Sequence, residues 1–114
     1  MRCPMIRKPA LAAMALVGAL GGSSAPAQTL SPTSQRGFVF VQTNCARCHA
    51  IGKLGGSPVA EAPPFRTLHN MYPVESLAEA LAEGIVTGHP SMPEFRLDPG
   101  QAQDVIAYLK TLER

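Results

Sequence analysis

Apolar residues along this chain fall into four groups, separated by stretches rich in glycine and proline. The first, Ala10–Leu20, is an unbroken run of eleven residues drawn from Ala, Leu, Met, Val and Gly. The second sets Phe38, Phe40 and Val41 between Ser31 and Asn44. Ser31–Ser34 can cap a helix across that interval, although Phe38 and Phe40 also alternate as a short strand would. Gly37 sits in its middle, where glycine costs about 1 kcal/mol relative to alanine, and so predicts close approach of another helix. The third group, Leu77 and Leu81 with Ile85 just beyond, belongs to a predicted helix opened by Pro73 and running through Glu83, with Gly84 as its stop. The fourth forms a stripe of Val105, Ile106, Tyr108, Leu109 and Leu112. Asp98 is the predicted N-cap of that helix, Pro99 its first residue and Leu112 its approximate end. A short helical piece is expected at Phe65–Met71. Ile51–Pro64 and Thr87–Pro93 read as proline-bounded loops. The expectation is an all-α domain with long, rigid loops.

The first apolar group does not belong to that domain. Arg2, Arg7 and Lys8 precede it and Ala25-Pro26-Ala27 follows it, the pattern of a secretory signal with its cleavage site. Eleven apolar residues are too few to cross a bilayer, which takes roughly 17–25. Residues 1–27 are therefore read as a signal peptide and 28–114 as the mature domain, reaching a membrane only through partners. Removing 27 of 114 residues leaves 87, with seven of the ten basic residues and all eight acids. The formal charge moves from +2 to −1, which takes away the support for a nucleic-acid partner. Cys3 departs as well, leaving Cys45 and Cys48 and no disulfide framework. Glu75, Glu79 and Glu83 recur every fourth residue, most simply as a solvated helix face.

Cys45-Ala46-Arg47-Cys48-His49 carries the chemistry. In a C-x-x-C-H run two thiols can reach neighbouring vinyl groups on one porphyrin edge, while the next residue offers an imidazole to the iron. A zinc site would need four ligands, and these residues supply at most three; His69 and His89 lie twenty residues apart. A redox dithiol would want a strand before it, and no β-branched run precedes Cys45. A disulfide across so short a loop would add little stability. A covalently attached haem would also staple a chain of this size, which has no Trp and few aromatics.

With these elements and this motif, the chain resembles the class I c-type cytochromes over nearly all of Ser34–Leu112. That family has a helix ending in C-x-x-C-H, a proline-containing loop, a middle helix, a methionine-bearing loop and a C-terminal helix packed across the first. The resemblance implies a cytochrome c-like fold of three main helices, with long loops wrapped around one covalently bound haem c. It favours helix over strand for Phe38–Val41. Gly37, eight residues before Cys45, matches the family glycine at the helix contact, and Tyr108 matches the usual aromatic opposite it. Val41 stands where an aromatic is common, with Phe40 offset by one. Ala62-Pro63-Pro64-Phe65 stands for the family's Gly-Pro segment. The Pro63 carbonyl would then accept a hydrogen bond from the His49 ring, and the doubled proline leaves Pro64 as the alternative.

His49 is the expected proximal ligand and Met92 the expected distal one. Met92 lies 43 residues beyond His49, inside His89-Pro90-Ser91-Met92-Pro93, close to the family's Met-Pro motif. A thioether is a weak, neutral ligand, so its loop should lose little entropy on ordering, and flanking prolines serve that end. Met71 is expected in the core, and His69 and His89 remain competitors for a His/His pair. The function expected is that of a periplasmic carrier of single electrons between transient redox partners, not an enzyme. The alternatives are a haem subunit of an exported oxidoreductase complex and, further off, a gas-binding or peroxidase protein. The intact mass of protein purified from cells able to attach haem should equal residues 28–114 plus one haem; free thiols on bare polypeptide would refute this reading.

Overall fold

A computed structural model describes residues 21–22, 24–84 and 91–114. Most of the signal-peptide segment, Ile85 and His89 lie outside the described residues. Three α-helices, α1 (Pro32–Asn44), α2 (Leu77–Glu83) and α3 (Pro99–Lys110), are joined by 3-10 helices at Phe65–Asn70 and Val74–Ser76. No strand occurs among the described residues, and no helix there is long and apolar enough to cross a membrane.

Both long helices begin where their capping chemistry dictates. The Ser31 hydroxyl accepts from the Ser34 N–H with Pro32 in the first turn, and Asp98 and Gln101 form a reciprocal capping box ahead of α3. The strand alternative for Phe38–Val41 is thereby settled as helix. The stripe on α3 is buried as its spacing requires: Val105, Ile106, Tyr108 and Leu109 are all 5% exposed or less, and Leu112 just past the helix is 6% exposed.

α1 and α3 meet backbone to backbone at Gly37. A Cβ built there would lie 1.9 Å from the Asp104 carbonyl oxygen and 3.0 Å from the Tyr108 Cβ. Around that point Ser34 Oγ donates to the Ala107 carbonyl at 3.1 Å, and the Phe38 and Tyr108 rings tilt together at 5.3 Å. Val41, at the position where the resembled family commonly has an aromatic, is fully buried and fills the core beneath the contact. Arg36 grips Asp104 through two hydrogen bonds of 2.7 and 2.8 Å. Those bonds hold the Asp104 carboxyl below the usual carboxylate range. Arg36 is 61% exposed, so the pair adds little beside the packing.

The middle of the chain departs from expectation. Pro73 does not start an α-helix; it is extended (ψ 126°) and caps the 3-10 turn Val74–Ser76, so α2 begins only at Leu77. No side chain caps this start, and the turn closes instead through a tighter bond from the Ser76 N–H to the Pro73 carbonyl, 3.0 Å. That tightening seats Val74 in the core at 1% exposure. The expected acidic face breaks with it: Glu75 lies on the 3-10 turn and pairs with Lys110 of α3, leaving Glu79 and Glu83 exposed on α2. Gly84 ends α2 at φ 108°, a left-handed conformation that favours glycine.

Gly37→Ala gains about 1 kcal/mol of helix propensity but must force two backbones apart, at an overpacking cost of about 3 kcal/mol. A net loss of about 2 kcal/mol is expected in chemical denaturation of the haem-loaded protein, and a stabilised variant would contradict the contact.

Candidate functional site

Cys45 is the C-cap of α1, its N–H donating to the Val41 carbonyl at 2.8 Å. The chain then turns sharply. The Cys48 and His49 N–H groups both return to the Cys45 carbonyl, at 3.1 and 3.0 Å. This turn presents the motif at the end of a helix already fixed against α3. Beyond it, the loop closes on itself. Ala50 N–H donates to Ser57 Oγ at 3.0 Å, Val59 N–H to the Cys48 carbonyl at 3.1 Å and Phe65 N–H to the Ala50 carbonyl at 2.9 Å. Tyr108 ties the loop to α3 by donating to the Ile51 carbonyl at 2.7 Å.

His49 is 7% exposed. Its Nδ1 lies 2.8 Å from the Pro63 carbonyl oxygen. A carbonyl can only accept, so Nδ1 must carry the proton and Nε2 keeps its lone pair free. The doubled proline is resolved by a division of labour: the Pro63 carbonyl serves His49, while the Pro64 carbonyl accepts from the Thr67 N–H and hydroxyl. Phe65 lies against the imidazole, ring centroids 4.8 Å apart.

These residues form part of a cleft with about 870 Å³ of atom-free space, some of it open to solvent. Phe40 and Cys45 come from α1, Val105 and Leu109 from α3, and Leu77 and Leu81 from α2. Pro63, Phe65, Leu68 and Tyr72 close one side, and Met92 and Phe95 another. Four of the chain's six Phe and Tyr residues line this one space. Of the described side chains that line it, only Cys45, His49 and Met92 bring a nitrogen or sulfur atom.

The remaining candidates lie elsewhere. Cys48 is half-buried on the motif turn, and neither cysteine is in a disulfide. His69 is exposed. Met71, expected in the core, is 58% exposed, because the 3-10 helix ends at Asn70 and turns its next residue outward. Burial in the cleft, with a smaller contribution from Cys48, pushes the Cys45 thiol up to about 11. A thiol so hard to ionise is the opposite of a reactive redox dithiol. No three His, Cys, Asp or Glu side chains converge as a metal site among the described residues.

The donor set and walls fit a haem. The faces are apolar and aromatic, a thiol stands at one end, and an imidazole enters with the correct nitrogen free. Phe65, Tyr72 and Phe95 were not legible as site residues from periodicity. The signal available was their rarity, since so few aromatics in a chain are rarely spent at random.

A helical shell around an apolar cleft, with one thiol and the imidazole of a C-x-x-C-H motif in its walls, fits a protein that holds a haem covalently. Comparison with known proteins agrees. The family model described as Cytochrome c matches residues 34–113. The chain is 30% identical over 102 residues to cytochrome c-552 of Bradyrhizobium diazoefficiens, covering 90% of this chain and 94% of that protein. No solved structure gives a significant match. The chain belongs to the cytochrome c family: it is a small c-type cytochrome, an electron-transfer protein that carries haem c.

Proposed function

We propose that this protein is a periplasmic one-electron carrier, exported by residues 1–27. In this reading haem c is attached through Cys45 and Cys48 of the 28–114 domain, with His49 and Met92 as axial ligands of its iron. The observation that carries the reading is the meeting of Cys45, His49 and Met92 in the walls of a single apolar cleft. When bound, the haem supplies a one-electron iron couple whose potential is raised by His/Met ligation and burial.

The chain's own residues do the rest. The Pro63 carbonyl fixes the tautomer and plane of His49 and leaves the Nε2 lone pair free, so that His49 would hold the iron. Phe65 stacks against the imidazole and restricts its rotation. Phe40, Leu68, Leu81, Val105 and Leu109 exclude water from the cleft and lower its dielectric. Pro93 biases Met92 toward extended backbone, which lowers the entropy cost of ordering the distal ligand. With both axial positions taken, no coordination site is left for a substrate, which favours electron carriage over catalysis. A scaffold tied this firmly also changes little between oxidation states, which keeps the reorganisation barrier low.

Partners dock transiently at the cleft mouth. Residues 28–114 contain only two lysines, Lys53 and Lys110, and Lys110 is paired with Glu75. A ring of lysines is therefore not the recognition device. Tyr72, 38% exposed at the cleft, offers apolar contact instead.

Met92→Ala should abolish the methionine–iron charge-transfer absorption of the oxidised protein and lower its potential, with the attached haem retained. An unchanged spectrum removes Met92 from the coordination sphere. The rate of reduction by a partner should change less than about threefold between low and physiological salt, and a steep fall would indicate charge-led docking instead.

A further inference from the structure

Met92 is followed by a short stretch of chain that reaches α3 under two restraints. Three residues on, Phe95 lines the same cleft and meets Phe40 of α1 nearly edge-on, with ring centroids 6.2 Å apart and planes at 74°. Two residues later, Leu97 is buried at 6% exposure, and its N–H donates to the Leu81 carbonyl of α2 at 2.8 Å. A third contact, the Arg96–Glu94 ion pair of 3.0 Å folded over Gly84, has side chains 74% and 49% exposed. Such a pair holds backbone weakly.

These anchors are unequal in reach. Leu97 lies five residues from Met92, and five residues can span about 17 Å at roughly 3.3–3.6 Å each. Phe95 shortens that free length to three residues, about 10 Å. Edge-to-face aromatic pairs at this separation are favourable beyond the area they bury. A weak, neutral thioether cannot order its own loop, so its occupancy depends on how far the backbone is already placed.

We propose that Phe95 is the positioning residue for Met92: its seat on Phe40 holds the 92–95 backbone so that the thioether faces the cleft. It thereby sets how readily an external ligand replaces Met92. The inference rests on the reading of Met92 as the axial ligand. An external ligand binds only the fraction of molecules in which Met92 is displaced, so its apparent affinity rises in proportion to that fraction.

The test is an imidazole titration of the oxidised, haem-loaded full chain, followed by loss of the methionine–iron absorption. Phe95→Ala should bind imidazole about tenfold more tightly than wild type, and Phe95→Tyr should restore most of the difference. Phe40→Leu, which removes the other half of the contact, should move affinity in the same direction and serves if Phe95→Ala does not fold. Leu112→Val, a core change away from the cleft, should lower unfolding stability while leaving imidazole affinity within about twofold, as should Arg96→Gln. Equal affinity in wild type, Phe95→Ala and Phe40→Leu overturns the proposal, as does an equal gain in Leu112→Val. If Met92→Ala keeps the methionine–iron absorption, the axial reading itself fails and the proposal falls with it. If Met92→Ala loses that absorption while the Phe95 variants match wild type, only the positioning role fails.

Discussion

The missing side chain at Gly37 is the constraint on which this small domain turns. It lets the backbone of α1 come within contact of the Asp104 carbonyl, closer than any residue with a Cβ permits. Ser34, Phe38 and Val41 then fall into place against α3 as neighbours of that one approach. Since Cys45 caps α1 and Val105 and Leu109 lie on α3, the same contact sets the haem-attachment motif against one wall of the cleft. The packing of two helices and the placement of the cofactor are a single event.

The loops are ordered by a different economy. Between the motif and α2 the backbone is held by a few side-chain and main-chain hydrogen bonds and by proline. The Pro63 carbonyl orients His49, the Ser57 hydroxyl caps the Ala50 N–H, and Tyr108 reaches across from α3 to Ile51. Each is modest in net free energy, about 1 kcal/mol, but together they leave the imidazole little freedom. Ion pairs play a minor part: Arg36–Asp104, Arg96–Glu94 and Lys110–Glu75 all lie at the surface.

How much of this was legible in the sequence follows from the range of each signal. The N-termini of α1 and α3 are written in local capping chemistry: the stretch Ser31–Ser34 contained the cap of α1, and Asp98 and Pro99 marked the start of α3, whose expected end at Leu112 lies two residues past Lys110. Gly37 announced a helix contact because an unexplained mid-helix glycine demands one. The motif fixed the cofactor because no other chemistry needs that spacing. The Pro63 carbonyl was legible only through resemblance, and the choice over Pro64 needed the Thr67 contact to decide it. The start of α2 was misjudged because proline fits both a helix's first turn and the cap of a 3-10 turn. Burial of Val74 decides between them, and burial is not local. The aromatic walls escaped for the same reason, since Phe65, Tyr72 and Phe95 come together only in three dimensions.

The concentration of aromatics in the cleft bears on how such a molecule is made. Phe38 and Tyr108 alone remain for the pairing of α1 and α3, while Phe40, Phe65, Tyr72 and Phe95 face the porphyrin site. A polypeptide arranged in this way has a small aliphatic interior of its own and would gain further cohesion from the group it encloses. Thioether formation needs sulfurs that can be reached, and Cys45, partly buried in the folded cleft, would be more open before the domain compacts. Attachment ahead of full compaction is the order that this burial favours.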